Sequence, residues 1–248
     1  MTIASSSPLR DRIRAVEQAA SALSLLEATR SLASDLADTS GAGNPQAPSA
    51  PLQEGIESDE QTAAIACLVQ VLGFNNPGAA VAAVDGLISL GSAAVPPLLE
   101  RLDPRNYGAR AWAVRALAGI GDVRGLSLLE EALATDVGPS VRRAAACGLG
   151  QLQLQPLAAA EQAVVRARAM QALLDGCRDG EWVVRYAVAV GLESLLQGME
   201  PLEVERQQAL AALEQLSSPD LEDTPVVRLR ASLAVQRLQA SRHPSVTP

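Results

Sequence analysis

The stretch Ser140-Val141-Arg142-Arg143-Ala144-Ala145-Ala146-Cys147-Gly148-Leu149 returns in related form twice further along the chain. The pairs Val141-Arg142, Val184-Arg185 and Val227-Arg228 each open a segment that closes on a leucine ten residues after the arginine. The spacing is regular, since 185 − 142 and 228 − 185 both equal 43. Self-similarity at this period is typical of stacked helical pairs, in which each pair buries its apolar face against its neighbours.

A second, shorter echo lies upstream of these segments. The stretch from Asn76 to Gly91 matches the stretch from Asn106 to Gly121 at an offset of 30 residues. Apolar residues at helical spacing, with proline in first turns and glycine after last turns, predict the helix bounds. The predicted outer helices are Gln61–Leu72, Val95–Leu102, Gly125–Ala134, Glu161–Gly176 and Glu203–Leu216, and the predicted inner helices are Ala79–Leu90, Arg110–Ile120, Val141–Leu152, Val184–Leu195 and Val227–Gln239.

The composition favours helix throughout. The chain of 248 residues is 48% hydrophobic but only 2% aromatic, and alanine and leucine, which favour helix, dominate. A sandwich or barrel would require more aromatic and β-branched residues. We therefore predict an all-α chain, and the repeats predict a right-handed α-solenoid of about five helical pairs.

Four segments are predicted along the chain. Residues 1–38 form an N-terminal helical segment, and residues 39–58, rich in glycine, proline and serine, form a flexible linker. Residues 59–240 form the repeat domain, and residues 241–248 form a disordered tail.

Charge and residue usage exclude several classes of function. The net charge is −8 and all 20 basic residues are arginine, so neither nucleic-acid binding nor lysine Schiff-base chemistry is expected. Cys67, Cys147 and Cys177 lie far apart and the single histidine is His243, so no metal-site spacing exists. No uninterrupted apolar run reaches the roughly 18 residues of a membrane span. We expect a soluble cytosolic protein without metal, nucleic-acid or membrane partners.

The arginines that open the inner helices allow two interpretations. They can form a structural aspartate–arginine ladder between successive repeats, or they can bind the carboxylates of a ligand. The ladder interpretation rests on an acid that precedes each arginine: Asp103 before Arg110, Asp136 before Arg142, Asp179 before Arg185 and Asp223 before Arg228.

The repeats resemble HEAT-like (armadillo-type) repeats, and longer strings are similar to one family. Asn75 to Leu87, Asn106 to Gly121, Ser140 to Ala146 and Glu181 to Ala187 resemble the F (β) subunit of the heterodimeric E/F phycobilin lyases, as does Ile13 to Ala19. The resemblance covers roughly residues 12–36 and 59–196.

The resemblance implies a function and partners. With an E-type partner subunit, the family attaches phycocyanobilin to a cysteine of the phycocyanin α subunit during phycobilisome assembly. Phycocyanobilin or another phycobilin, such as phycoerythrobilin, is then a substrate, and no tightly bound cofactor is implied. Some relatives also isomerise the bilin with a histidine–cysteine pair, but no histidine precedes His243 here, so we expect attachment without isomerisation.

The few aromatic residues cluster with arginines at two inner helices. Aromatic rings suit the pyrrole faces of a bilin, and the planar fork of arginine suits its propionates. The interpretation as a site competes with one in which the tryptophans fill gaps between repeats. The candidate bilin-binding residues are Tyr107, Arg110, Trp112 and Arg115 in one cluster, Trp182, Arg185 and Tyr186 in the other, and Arg142 and Arg143 between them.

Three acids are candidate catalytic residues. Asp136, Asp179 and Glu181 lie beside the clusters, where a carboxylate could stabilise a protonated, more electrophilic bilin. Each of them also fits a capping or ladder role. Because no self-contained catalytic set is present, a non-catalytic HEAT-like adaptor or chaperone that binds phycobiliproteins is the alternative function.

Overall fold

A computed structural model describes residues 7–39, 54–101, 105–197 and 203–240. Within these ranges the regular structure is helical and contains no strand, which confirms the all-α prediction. The chain divides into two compact units, residues 1–120 and residues 121–248.

Unit 1 is built around α2 and α4. Its helices are α1 (Pro8–Glu17), α2 (Ala22–Thr39), α3 (Glu54–Val71), α4 (Pro77–Leu90), α5 (Val95–Glu100) and α6 (Tyr107–Ile120), with a short 3-10 helix (Gly91–Ala94) before α5. α2 packs against α4, α1 packs against α2 and α3, and α4 packs against α6. Leu32 and Leu36 of α2 are fully buried within this unit.

Two asparagines set the starts of the inner helices in unit 1. The Asn76 side chain accepts a hydrogen bond from the Ala79 amide (3.1 Å) and donates to the Ala22 carbonyl (2.8 Å). The Asn106 side chain likewise accepts from the Ala109 amide (3.0 Å). An asparagine cap accepts a hydrogen bond from an amide that the first turn leaves without a partner. The echo at an offset of 30 residues therefore reflects the same cap at the start of two helices.

Unit 2 holds the 43-residue repeats in two layers. Its helices are α7 (Leu126–Thr135), α8 (Pro139–Gly150), α9 (Ala159–Gly176), α10 (Trp182–Gln197), α11 (Glu203–Ser217) and α12 (Pro225–Ala240), and a 3-10 helix (Val123–Gly125) precedes α7. α10 packs against both α8 and α12, so these three form the inner layer, and α7, α9 and α11 form the outer one. Equivalent positions 43 residues apart therefore form rows across α8, α10 and α12.

Glycines allow α8 and α10 to approach closely. A Cβ placed on Gly191 would lie 2.6 Å from the Ala146 carbonyl oxygen, and one on Gly150 would lie 2.5 Å from the Gly191 backbone. Real Cβ atoms do not approach a neighbouring backbone this closely, so these positions require glycine. The contact fixes the spacing on which the rows of the inner layer depend.

The observed bounds agree with the predicted helices, with differences at the ends. α3 begins at Glu54, inside the stretch predicted as a linker, and α10 extends to Gln197. Residues 40–53 of the predicted linker, the predicted tail 241–248 with His243, and Asp103 lie outside the described residues.

One apolar segment, Pro77–Glu100, is long enough to cross a membrane by length and composition. It comprises α4, the 3-10 helix and α5, and Ala80, Ala83 and Leu87 in it are fully buried in the core of unit 1. The buried helix of a globular core has the same composition, so this segment is weak support for a membrane span.

We predict that Gly191→Ala destabilises the protein by about 1–3 kcal/mol, because the new methyl group forces α8 and α10 apart. Urea unfolding measures the loss. Gly180→Ala is the matched control, since nothing lies within 4 Å of a Cβ there. An equal effect of the two substitutions would contradict close packing at Gly191.

Candidate functional site

Arg142 and Arg185, in the first turns of α8 and α10, are held in the same way. Arg142 donates from Nε (2.7 Å) and Nη2 (2.9 Å) to the Asp179 carboxylate, and from Nη1 to the Asp136 carbonyl (2.8 Å). Arg185 donates from Nε (2.6 Å) and Nη2 (2.8 Å) to Glu222, and from Nη1 to the Asp179 carbonyl (2.8 Å). Each arginine thus binds a carboxylate of the following repeat in a bidentate pair.

The predicted ladder between successive repeats is therefore present in unit 2. Asp179 and Glu222 each accept from the following arginine with the backbone carbonyl and from the arginine of the preceding repeat with the carboxylate. The main partner of Arg185 is Glu222, which the sequence analysis did not name, whereas Asp223 is 92% exposed and lies 3.5 Å from Nη2. Arg228 keeps the carbonyl bond to Glu222 (2.8 Å) and makes no ion pair among the described residues.

The ladder carboxylates also shape the loops before the inner helices. Asp136 accepts from the Gly138 amide (2.8 Å), Asp179 from the Glu181 amide (2.9 Å) and Glu222 from the Thr224 amide (2.9 Å). The hydrogen bond from Arg185, together with the Thr224 amide, lowers the pKa of Glu222 to about 2. Burial raises the pKa of Asp179, but the bonds from Arg142 and the Glu181 amide outweigh it and the net shift is downward.

These contacts correct part of the predicted site. The guanidinium groups of Arg142 and Arg185 are engaged by the ladder, and the Asp179 carboxylate is engaged by Arg142. Their observed contacts tie repeats together, so they are not open to a ligand in this arrangement. Asp136 is half-buried and Glu181 is exposed.

The aromatic residues separate into one cluster in each unit. In unit 1 the Arg115 guanidinium stacks over the Trp112 ring at 4.7 Å, both residues are half-buried, and Tyr107 is 76% exposed. Arg110 is half-buried in the same helix. In unit 2 Trp182 is exposed and Tyr186 is half-buried on the first turns of α10.

Arg143 is the candidate arginine that remains open to solvent in unit 2. It is exposed and makes no ion pair or hydrogen bond among the described residues. The 43-residue register places it in one row with Tyr186 and Leu229 across the inner layer. Cys147, Val190 and Leu233 form the next row, one turn along.

α12 adds an apolar ridge that the sequence analysis missed. Val226, Leu229 and Leu233 are 42%, 72% and 38% exposed, on one side of the helix. Two repeats of 43 residues lead from Arg143 to Leu229 and from Cys147 to Leu233, so the repeat period would have identified both leucines as members of these rows.

A second missed feature is an ionic cluster beside Cys147. The buried Glu193 carboxylate accepts from Arg230 Nη2 (2.5 Å), Arg237 Nη1 (3.2 Å) and the Gln197 amide (2.9 Å). Burial raises the pKa of Glu193, but the bonds from Arg230 and Arg237 prevail and lower it overall. Burial raises the pKa of the Cys147 thiol, although the positive charges of Arg143 and Arg230 act to lower it.

Unit 2 also has grooves away from the inner layer. One of about 530 Å³ runs along the outer helices α7 and α9 and is lined by Glu130, Arg168 and Asp175 among others. Arg168 there pairs with Glu130, so its charge is already balanced. We place the candidate site on the inner layer because the open arginine and the exposed apolar ridge meet there.

Comparisons with known proteins agree with the repeats and with the resemblance. The family model for HEAT repeats matches residues 65–150 and 95–193. "Bilin biosynthesis protein RpcF" of Synechococcus sp. is 54% identical over 179 residues, 72% of this chain and 82% of the relative. "Phycocyanin alpha phycocyanobilin lyase CpcF" of Synechocystis sp. is 50% identical over 183 residues, 74% of each chain.

Solved structures give the same result. A chain from the complex of CpcE and CpcF of phycocyanin lyase from Nostoc sp. is 43% identical with a TM-score of 0.62, and the match covers 69% of this chain and 98% of that one. A designed armadillo repeat protein is similar in fold alone, at 19% identity and a TM-score of 0.51 over 93% of this chain and 99% of that one.

We predict that Arg185→Ala lowers the free energy of unfolding by about 3 kcal/mol, because it leaves the buried Glu222 carboxylate without its partner. Arg228→Ala removes the equivalent bond to a backbone carbonyl, that of Glu222, but no ion pair, so it should lower the free energy of unfolding clearly less. Chemical denaturation of both variants tests this. Equal losses would mean that the carboxylate pairing does not stabilise the stack.

A pH dependence follows from the lowered pKa of Glu222. A carboxyl group whose pKa is lower in the folded state stabilises above its unfolded pKa, about 4.3, and loses this contribution as pH falls toward about 2. The unfolding free energy of Glu222→Gln should therefore fall less than that of the parent protein over this window. Asp223→Asn, at the exposed neighbouring carboxylate, should follow the parent curve.

Proposed function

The chain belongs to the family of phycocyanobilin lyase β (F-type) subunits, and we propose that, with an E-type partner subunit, it attaches phycocyanobilin to a cysteine of the phycocyanin α subunit. The observation that carries this is the likeness to relatives named as phycocyanin α phycocyanobilin lyase and phycocyanobilin lyase subunit beta, at 50% and 49% identity. The matching solved chain also comes from a CpcE–CpcF complex.

The proposed reaction is the addition of the acceptor thiol across the ethylidene double bond of the bilin. A sulfur–carbon bond forms, the carbon–carbon π bond breaks, and the thiol proton moves to the adjacent ring carbon, so no oxidant or reductant is needed. The nucleophile belongs to the acceptor protein. The lyase contributes orientation of an extended, flexible substrate, which lowers such a barrier substantially.

The inner layer of unit 2 supplies groups suited to this task. Arg143 offers an open guanidinium for a propionate, and Tyr186 and Trp182 offer aromatic surface for pyrrole rings. Asp136 and Glu181 remain the candidate carboxylates for a protonated bilin. In unit 1 the cluster of Tyr107, Arg110, Trp112 and Arg115 remains a second candidate contact. The bilin acts as substrate, without a tightly bound cofactor, in the cytosol.

Reconstitution tests the proposal. The chain, an E-type subunit, phycocyanobilin and apo-phycocyanin α are combined, and covalent pigment on the α subunit is measured after denaturing electrophoresis. Pigment above the spontaneous level is the expected result. Tight binding to apo-phycocyanin with no gain in covalent pigment would instead support a non-catalytic adaptor and overturn the proposal.

We predict that Arg143→Ala reduces the rate of transfer about tenfold, the effect of one lost charge-assisted hydrogen bond, and leaves thermal stability unchanged. Arg178→Ala, at another exposed arginine of the same unit, is the control and should transfer at the parent rate. Equal rates in the two variants would remove Arg143 from the site.

A further inference from the structure

Arg143 and Arg230 approach Cys147 from two different helices. Arg143 lies one helical turn before Cys147 on the same face of α8. Arg230 reaches from α12 to Glu193 on α10, two residues beyond Gly191, which packs against Ala146. Both guanidinium groups act electrostatically on the Cys147 thiol. The half-buried Cys147 therefore lies within electrostatic range of two cations from two helices.

The cluster carries an excess of positive charge in an acidic chain. Arg143 makes no ion pair among the described residues, and the Glu193 carboxylate receives both Arg230 and Arg237, whereas the whole chain has a net charge of −8. Arg230 Nη1 is buried and has no hydrogen-bond acceptor among the described residues. A donor buried in this way destabilises unless an acceptor reaches it, and an added carboxylate would satisfy it.

The apolar ridge of α12 borders the same cluster. Leu229 lies in the row of Arg143 and Tyr186, and Leu233 lies in the row of Cys147. The ridge has three exposed apolar side chains, Val226, Leu229 and Leu233, whereas each partner in a stable protein interface contributes about 20–30 residues. A small amphipathic anion fits this combination of a narrow apolar ridge and two adjacent cations better than a protein surface does.

We propose that Arg143 and Arg230 bind the two propionates of the linear tetrapyrrole, and that Tyr186, Leu229 and Leu233 support its rings across α10 and α12. The propionates sit on neighbouring rings, so one molecule can reach both arginines. Glu193 is a positioning residue, because it holds Arg230 in place. This inference rests on the proposed function and adds the orientation of the substrate and the contribution of α12.

Esterification of the propionates tests whether Arg143 and Arg230 bind them. The complex of this chain with its E-type partner is titrated with phycocyanobilin and with its dimethyl ester, and the absorbance change gives both dissociation constants. The parent complex should prefer the free acid by roughly tenfold or more. Arg143→Gln should lose most of this preference, and Arg178→Gln should retain it. An unchanged preference in Arg143→Gln would overturn the assignment.

Arg230→Gln is a second variant for the same measurement. It should also lower the preference for the free acid, while Arg230→Lys, which keeps the charge beside Glu193, should retain part of it. If Arg230→Gln does not fold, the result of Arg143→Gln decides, because Arg143 is exposed and makes no hydrogen bond or ion pair among the described residues.

The ridge is tested by Leu229→Ser with Leu233→Ser. This double variant should weaken the free acid and the ester alike, and should still form the heterodimer in size-exclusion chromatography. Leu221→Ser, at an exposed leucine outside the inner layer, is the control. Loss of the heterodimer in the double variant would assign the ridge to the partner subunit instead.

Covalent transfer by the parent complex separates the two proposals. Transfer without any preference for the free acid would refute the propionate assignment alone, and absence of transfer would refute the proposed function.

Discussion

Asp179 binds two arginines through three hydrogen bonds, and the rows of unit 2 depend on them. Its carbonyl accepts from Arg185 in its own repeat and its carboxylate accepts from Arg142 in the preceding one. Glu222 repeats this arrangement with Arg228 and Arg185. Because each carboxylate accepts two hydrogen bonds from the arginine of the preceding repeat, a shift of one repeat against the next would break both at once. The register that aligns positions 143, 186 and 229 is therefore held by ion pairs at the ends of the inner helices and by glycine contacts along them.

This arrangement divides the arginines of unit 2 by role. Those at the first position of each motif, Arg142 and Arg185, are largely buried and satisfied within the fold. Arg143 follows Arg142 directly but projects to solvent, because successive residues on a helix lie about 100° apart. Bidentate pairing occupies Nε and Nη2 of Arg142 and Arg185, and a carbonyl bond occupies Nη1, so of these three arginines only Arg143 has no hydrogen bond or ion pair among the described residues. Tyr186 and Leu229 occupy the equivalent positions, and this surface is where the repeats differ in chemistry.

Unit 1 reaches similar helix starts by different chemistry. Asn76 and Asn106 cap their helices and bond to backbone carbonyls, where unit 2 uses acids and arginines. An amide combines donor and acceptor in one side chain, so it links two segments without a partner side chain. In the aromatic cluster of unit 1, the Arg115 guanidinium makes a cation–π contact with the Trp112 ring. The two clusters of aromatic residues and arginines have similar sequences, but their side chains make different contacts in the two units.

Helix positions, the repeat period and the ladder arginines were all predictable from the sequence, because caps, apolar spacing and Val-Arg pairs are local signals. The partner of each arginine was not predictable. Whether Arg185 pairs with Glu222 or with Asp223 depends on how two repeats stack, and this is not a local property of the sequence. The roles of Arg230, Glu193, Leu229 and Leu233 were also decided only by the tertiary structure. Each of these side chains looks ordinary in its own helix, and only the packing of α8, α10 and α12 determines which of them are buried as ion pairs and which stay exposed beside Arg143.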